Sequence, residues 1–252
     1  MTACRVEVVK DAAAIARAAA ELFVTLAAQT ARARCPFHVL LAGGTTPKAL
    51  YTLLASAEYR SRVDWERVAF FFGDERAVPP DHPQSNYRMA KEALFRPLGI
   101  VESSIHRMKA EAEDLNAAAA AYEGELRASF GAFPRFDLVL LGMGSDGHTA
   151  SLFPRSLVLK EHARWVAPVL DAPRPPPRRL TVTLPVLNAG HQVLVTVAGR
   201  HKAPALREVL EGTAPPEQYP AKCVQPGPER LLWLVDEAAG AELQGRRDGV
   251  HL

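Results

Sequence analysis

Residues 136–154 read FDLVLLGMGSDGHTASLFP. Residues 136–141 are mostly apolar without alternation, which is the pattern of a strand buried on both faces of a parallel sheet. The run ends in a turn carrying Gly142, Gly144 and Gly147, where the backbone can bend tightly and a ligand can approach the main chain. The turn presents one carboxylate, Asp146, and two residues later one imidazole, His148. A histidine takes and gives a proton near neutral pH, and an aspartate at this spacing can orient the ring or fix its tautomer. This is the layout of a catalytic loop at the carboxyl end of a parallel strand.

The same turn also spells G-x-G-x-x-G, the dinucleotide fingerprint. That motif needs a long helix opening at its last glycine and an acidic residue about twenty positions further on. Here Pro154 interrupts any such helix, and Glu161 comes too early. The turn also sits in mid-chain rather than in a first βαβ unit. The nicotinamide reading is therefore the weaker one.

Outward from this turn, strand patterns occur at Arg5–Val9, 37–42, Val68–Phe72, 180–184, 191–198 and 231–235. Between them lie helical patterns at 11–33, with Asp11 placed to cap it, at 47–54 with Pro47 in its first turn, and at 86–95 and 113–129. A further helix follows the turn at 199–202. Residues 171–179, DAPRPPPRR, form a stiff connector or, on a second reading, a polyproline ligand. Alternating strands and helices predict an α/β fold, a mostly parallel sheet with helices on both faces. One domain over residues 1–252 is the simpler organisation, with 241–252 as a weakly ordered tail.

Composition narrows the function classes. The 252 residues are 48% apolar, enough for a sizeable core. The 30 basic and 28 acidic side chains nearly cancel, and no lysine or arginine block suggests nucleic-acid binding. The slight basic excess suits a small anionic substrate. Cys4, Cys35 and Cys223 are widely spaced and odd in number, as expected of free thiols in a reducing cytosol. The N-terminus lacks the basic-then-apolar pattern of a secretory leader, and no apolar run approaches membrane-spanning length. A soluble cytoplasmic protein, with no membrane partner, is expected, as a monomer or small homo-oligomer. No metal-ligand spacing and no G-x-S-x-G nucleophile turn occur, so neither metal nor cofactor is expected.

Loops at the carboxyl ends of parallel strands gather at one edge, where ligands bind. Besides the Asp146–His148 turn, two others carry suitable groups. Gly43, Gly44, Thr45 and Thr46 precede a helix whose N-terminus favours an anion; an ordinary turn with a capping threonine is the alternative. Gly73, Asp74, Glu75 and Arg76 follow an apolar strand; Arg76 offers a planar fork for phosphate or carboxylate, and a solvated charge cluster is the alternative. Lys202 opens a helix, an unfavourable place for a cation unless a bound anion offsets it. Arg178 and Arg179 precede a strand and can reach the same edge.

At these motifs the chain resembles the 6-phosphogluconolactonase family. The matching segments are LAGGTTPKALY (41–51), FFGDERAVPPDHPQSNYRMAKEALF (71–95), LGMGSDGHTASLFP (141–154), RRLTVTLPVLNAG (178–190), AGRHKAPALREVLEG (198–212) and PPEQYPAKCVQP (215–226). The resemblance implies the modified Rossmann-like sandwich shared with glucosamine-6-phosphate deaminases and ribose-5-phosphate isomerases. It implies hydrolysis of 6-phospho-D-glucono-1,5-lactone to 6-phosphogluconate, the second step of the oxidative pentose phosphate pathway.

In that reaction His148 would deprotonate the attacking water. Asp146 would orient His148 or contact the sugar, and Asp74 would position the water, the hydroxyls or Arg76. Amides of the glycine turn would meet the oxyanion. The sugar phosphate would sit on Gly43, Gly44, Thr45 and Thr46 with Arg76, Lys202 and Arg179. Two alternatives remain. Aminosugar-phosphate deaminases and isomerases of this fold carry an acid shortly after the histidine, in a stretch resembling AFNEP; here 150–154 read ASLFP, without one. Sugar-phosphate-sensing domains of transcription regulators add a helix-turn-helix, and this chain shows no such basic extension.

Overall fold

The computed structural model describes residues 4–33 and 35–244. In chain order it comprises β1 (Arg5–Val9), α1 (Ala12–Arg32), β2 (Phe37–Leu41), α2 (Thr45–Leu54), β3 (Val68–Phe72) and β4 (Asp74–Arg76). Next comes one helix in three parts, α3 (Asn86–Ala90), a π turn at Lys91–Phe95 and α4 (Arg96–Leu98). Then follow β5 (Ile105–His106), α5 (Leu115–Phe130), β6 (Leu138–Gly142), β7 (Val166–Val169) and β8 (Arg179–Val182). The described chain ends with α6 (Leu184–Ala189), β9 (Gln192–Val197), α7 (Ala203–Glu211) and β10 (Leu231–Asp236).

Seven strands form one sheet in the order β1-β10-β9-β6-β2-β3-β5, and every pairing is parallel. The continuous apolar runs follow from this: Val39, Leu40, Phe70, Phe71, Leu138, Val139, Val193 and Leu194 are all fully buried between two layers. From β2 the chain moves outward through β3 to β5. It then returns to β6 beside β2 and moves outward the other way through β9 to β10. The order therefore reverses between β2 and β6, and the loops leaving these two strands diverge to open a crevice at their carboxyl ends.

α1 is set by its pattern. Ile15, Ala19, Phe23 and Ala27 are buried on one face, and the Asp11 carboxylate accepts the Ala14 amide at 2.9 Å at its start. By length and composition α1 is apolar enough to cross a membrane, which the sequence reading did not anticipate. In the fold its buried face lies on α2 and β10, and its outer face pairs Arg17 with Glu58 and Glu21 with Arg62. Those pairs mark a covering helix of the sheet.

Four features depart from the sequence reading. Residues 74–76, expected in a loop, form β4, which pairs antiparallel with β8 in a second, three-stranded sheet of order β4-β8-β7. β5, β7 and α6 were not foreseen: β5 is only two residues long, and β7 is interrupted by Pro168, tolerated because β7 is an edge strand. The strand expected at 180–184 stops at Val182, and Leu184 already begins α6. Finally, residues 241–244 are not a loose tail. Ala239–Glu242 form a short 3-10 turn, Leu243 packs on the core, and the Gln244 amide donates to Glu211 Oε1 at 2.8 Å. Residues 245–252 of the expected tail lie outside the described residues.

Candidate active site

A cleft of about 310 Å³ opens where the strand order reverses. Its walls bring together the turn after β2, β4, the turn after β6, the proline-rich loop before β8 and the turn after β9. Gly43, Gly44, Thr45, Thr46, Asp74, Arg76, His148, Arg179 and Lys202 all line it. Asp146 does not. It stands behind His148 and borders a second, more open groove with Ser145 and Arg155.

The turn after β6 holds its own shape. The Gly144 amide donates to the His148 carbonyl, the Gly147 amide to the Gly144 carbonyl, and Thr149 Oγ1 to the Gly142 carbonyl, at 2.9, 3.0 and 2.8 Å. His148 Nδ1 lies 2.5 Å from Asp146 Oδ1, which also accepts the His148 amide at 3.3 Å. A β-carbon on Gly144 would lie 2.2 Å from the His148 ring and 2.6 Å from Asp146 Oδ1, so only glycine allows the pair to close over the backbone. Burial pushes the Asp146 carboxyl up. Its hydrogen bond to His148 and the charges of His148 and Arg174 outweigh this and hold it well below the usual carboxylate range. The His148 ring rests on Phe153, with centroids 4.6 Å apart. Of the amides of the glycine turn, those of Gly144, Gly147 and His148 make these internal bonds.

On β4 the three charged residues divide. Asp74 is buried but lines the cleft, with Oδ2 accepting Ser151 Oγ at 2.7 Å and Oδ1 accepting Asn86 Nδ2 at 3.1 Å. Glu75 turns inward. Its carboxylate accepts the amides of Arg76, Asn86 and Tyr87 and the Ser85 hydroxyl, which seats the start of α3. Burial raises its pKa, and those four bonds oppose the rise. Arg76 donates from Nη1 to the Gln84 carbonyl at 2.6 Å, while its buried Nε meets no protein acceptor. The charge cluster expected from the sequence is thus one helix anchor and two cleft residues.

The positive charge lining the cleft comes from three further elements. α2 begins at Thr45, two residues before the sequence reading placed it. Gly44 at its N-cap adopts φ 105° and no side chain caps it, so the capping-threonine alternative does not hold. Lys202 ends a short 3-10 turn at the start of α7, and burial lowers its pKa against the opposing charge of Asp236. Arg179 is buried. It donates from Nε to the Pro176 carbonyl and from Nη2 to the Arg174 carbonyl, at 2.9 and 3.0 Å, and its Nη1 approaches Ser151 Oγ at 3.5 Å. Most of its donors therefore hold a loop.

The sequence profile described as glucosamine-6-phosphate isomerases/6-phosphogluconolactonase matches residues 10–233. The chain belongs to this family. It is 44% identical over 210 residues to a 6-phosphogluconolactonase of a Synechocystis strain, covering 82% of this chain and 84% of that one. It is 39% identical over 242 residues to a Nostoc 6-phosphogluconolactonase, covering 94% and 98%. Among solved structures, a 6-phosphogluconolactonase from Trypanosoma cruzi superposes with a TM-score of 0.86 at 29% identity, covering 97% of this chain and 98% of that one. One from Thermotoga maritima gives 0.80 at 31%, covering 92% and 99%. A monomeric glucosamine-6-phosphate deaminase, at 22% identity and a TM-score of 0.79, shares the fold.

For this family member the sequence reading missed two residues that line the cleft, Arg174 and Ala150, and two that hold Asp74 from behind it, Ser151 and Asn86. Arg174 lies in the proline-rich loop, read as a connector, and Ser151 and Asn86 have no charge to announce them. Ala150 sits at φ 47°, a conformation rare for a side-chain-bearing residue, and no residue pattern signals it. Residues 174–176 are visible as important only once Arg179 is seen reaching for their carbonyls.

Proposed function

We propose that the chain hydrolyses 6-phospho-D-glucono-1,5-lactone to 6-phospho-D-gluconate, the second step of the oxidative pentose phosphate pathway, with His148 as general base. One observation carries this reading. The same cleft holds an imidazole whose Nδ1 is tied to a carboxylate and, on other walls, Lys202, Arg76 and the uncapped N-terminus of α2. The names borne by relatives that match nearly the whole chain support the choice of substrate.

With Nδ1–H given to Asp146, the neutral ring keeps Nε2 as its acceptor. Nε2 removes a proton from water as the oxygen attacks C1. The tetrahedral adduct then breaks its bond from C1 to the ring oxygen, and the imidazolium returns the proton to that oxygen. A δ-lactone is an activated ester, so neither a metal nor a covalent intermediate is required. The phosphate rests at the start of α2 with Lys202 and Arg76, and its binding energy holds C1 against the base. Asp74, fixed by Ser151 and Asn86, orients sugar hydroxyls or the water.

The decisive assay follows acid release at constant pH from freshly prepared 6-phosphogluconolactone, with the spontaneous rate subtracted. A protein-dependent rate is expected. Ammonia release from glucosamine 6-phosphate without lactone hydrolysis would move the chain to the deaminase branch. Tight sugar-phosphate binding with no turnover would make it a sensor.

A further inference from the structure

Two arginines of the proline-rich segment are joined in a circuit around the His148 ring. Arg174 donates from Nε to Asp146 Oδ2 at 3.3 Å and from Nη2 to Ser145 Oγ at 3.0 Å, both in the turn after β6. Its own carbonyl, with those of Pro175 and Pro176, accepts from Arg179 at 3.0, 3.4 and 2.9 Å. The Arg179 guanidinium in turn lies 5.2 Å over the Phe153 ring, and Phe153 carries the His148 ring at 4.6 Å. A half-exposed arginine on an unsupported loop would wander. Here its backbone is clamped by a buried partner, so the guanidinium is delivered to one place.

We propose that Arg174 is a positioning residue: by occupying the second oxygen of Asp146, it keeps the first on His148 Nδ1 and so leaves Nε2 as the base. The catalytic consequence rests on the lactone-hydrolase reading above; the control of the ring tautomer does not. Without Arg174 nothing among the described residues fixes Asp146 Oδ2, the carboxylate is held only by His148 itself, and the ring can present either nitrogen to the cleft. The hydrogen bond to His148 and its charge, with a smaller contribution from Arg174, keep Asp146 ionised although half-buried.

Several other charged groups face this pair. Lys202 and His201 come from the turn after β9, Asp74 and Arg76 from β4, and Arg179 from β8, while Arg155 borders the groove on the far side. Arg174 is the one among the described residues that donates to Asp146 Oδ2.

The test uses Arg174→Gln and Arg174→Lys in the full chain. Ring 15N shifts of His148 are recorded without substrate at pH 8, alongside kcat, KM and the pH profile of kcat/KM. The parent chain is expected to show the Nδ1–H tautomer. Arg174→Gln is expected to show a mixture, with kcat down about tenfold and KM within about threefold. Arg174→Lys should recover part of both the tautomer and kcat. If Arg174→Gln keeps the single tautomer, whatever happens to KM, the proposal is overturned. If the parent chain fails to hydrolyse the lactone but the tautomer still shifts, the reaction assignment fails and the positioning role stands.

Discussion

Two histidine–aspartate pairs sit at opposite ends of the same pair of strands. At the amino ends of β2 and β6, His38 Nδ1 lies 3.5 Å from Asp137 Oδ2. Beyond the carboxyl end of β6, His148 Nδ1 lies 2.5 Å from Asp146 Oδ1. In the first pair the carboxylate is occupied by the chain itself, since Asp137 Oδ2 accepts the His38 amide at 2.8 Å, and the imidazole packs 4.6 Å from Phe130. That pair registers two strands. In the second, the ring lines a cleft with Lys202 and Arg76 on other walls. The two residue types are the same; what differs is the end of the sheet. Only at the carboxyl end, where the strand order reverses, do loops diverge and leave room for a substrate.

The sharpest way to break this contrast is to truncate both histidines. His148→Ala is expected to lower kcat for the lactone by roughly 10²- to 10⁴-fold, the usual weight of a general base, while His38→Ala leaves it within about threefold. Equal losses would erase the distinction. Glycines give the next comparison. Gly144→Ala puts a methyl 2.2 Å from the His148 ring, and a displacement on that scale should cost about 10²-fold in kcat. Gly124→Ala, in α5 with nothing within 4 Å of the new carbon, should raise stability by about 0.5–1 kcal/mol in urea unfolding. A Gly144→Ala enzyme with normal kcat would mean that the His148–Asp146 contact is not needed for turnover. Lys202→Ala should come third, with KM for the phosphorylated lactone up about 10- to 100-fold and hydrolysis of unphosphorylated gluconolactone unchanged. Equal damage to both substrates would remove Lys202 from the phosphate site.

The sequence made the carboxyl-end site legible because its signals are local. An apolar run, three glycines, Asp146 and His148 fall within thirteen residues, 136–148, and the anion-facing start of α2 is spelled by Gly43, Gly44, Thr45 and Thr46. The supporting shell was not legible, because it is made by contacts between distant segments. Ser151 reaches Asp74 across 77 positions, and Arg174 reaches Asp146 across 28. Glu75 shows the limit from the other side. Beside Asp74 and Arg76 its sequence leaves open whether it faces the site or the core; strand alternation turns it away from them, onto the amides of α3. β4 itself was hidden because three charged-flanked residues carry no period; only pairing with β8 makes them a strand.

The smallest expected effect lies at the edge of the sheet and bears on stability rather than rate. His106, on the edge strand β5, stacks on Phe71 with centroids 4.3 Å apart and planes 5° apart. Burial lowers its pKa. Glu125 at 3.8 Å opposes the shift, and the charge of His38 adds to it. A histidine with a depressed folded pKa is held neutral by the fold. Its unfolded counterpart takes a proton first, near pH 6.5, so stability present above that pH is lost as the pH falls below it. Urea midpoints of the parent chain should therefore drop between pH 7.5 and 5.5, and His106→Phe, which keeps the stack on Phe71 without a titrating group, should flatten that drop. A parent chain that gains stability on acidification would mean that the Glu125 ion pair outweighs burial. Equal slopes in the two proteins would shift the acid sensitivity to another group.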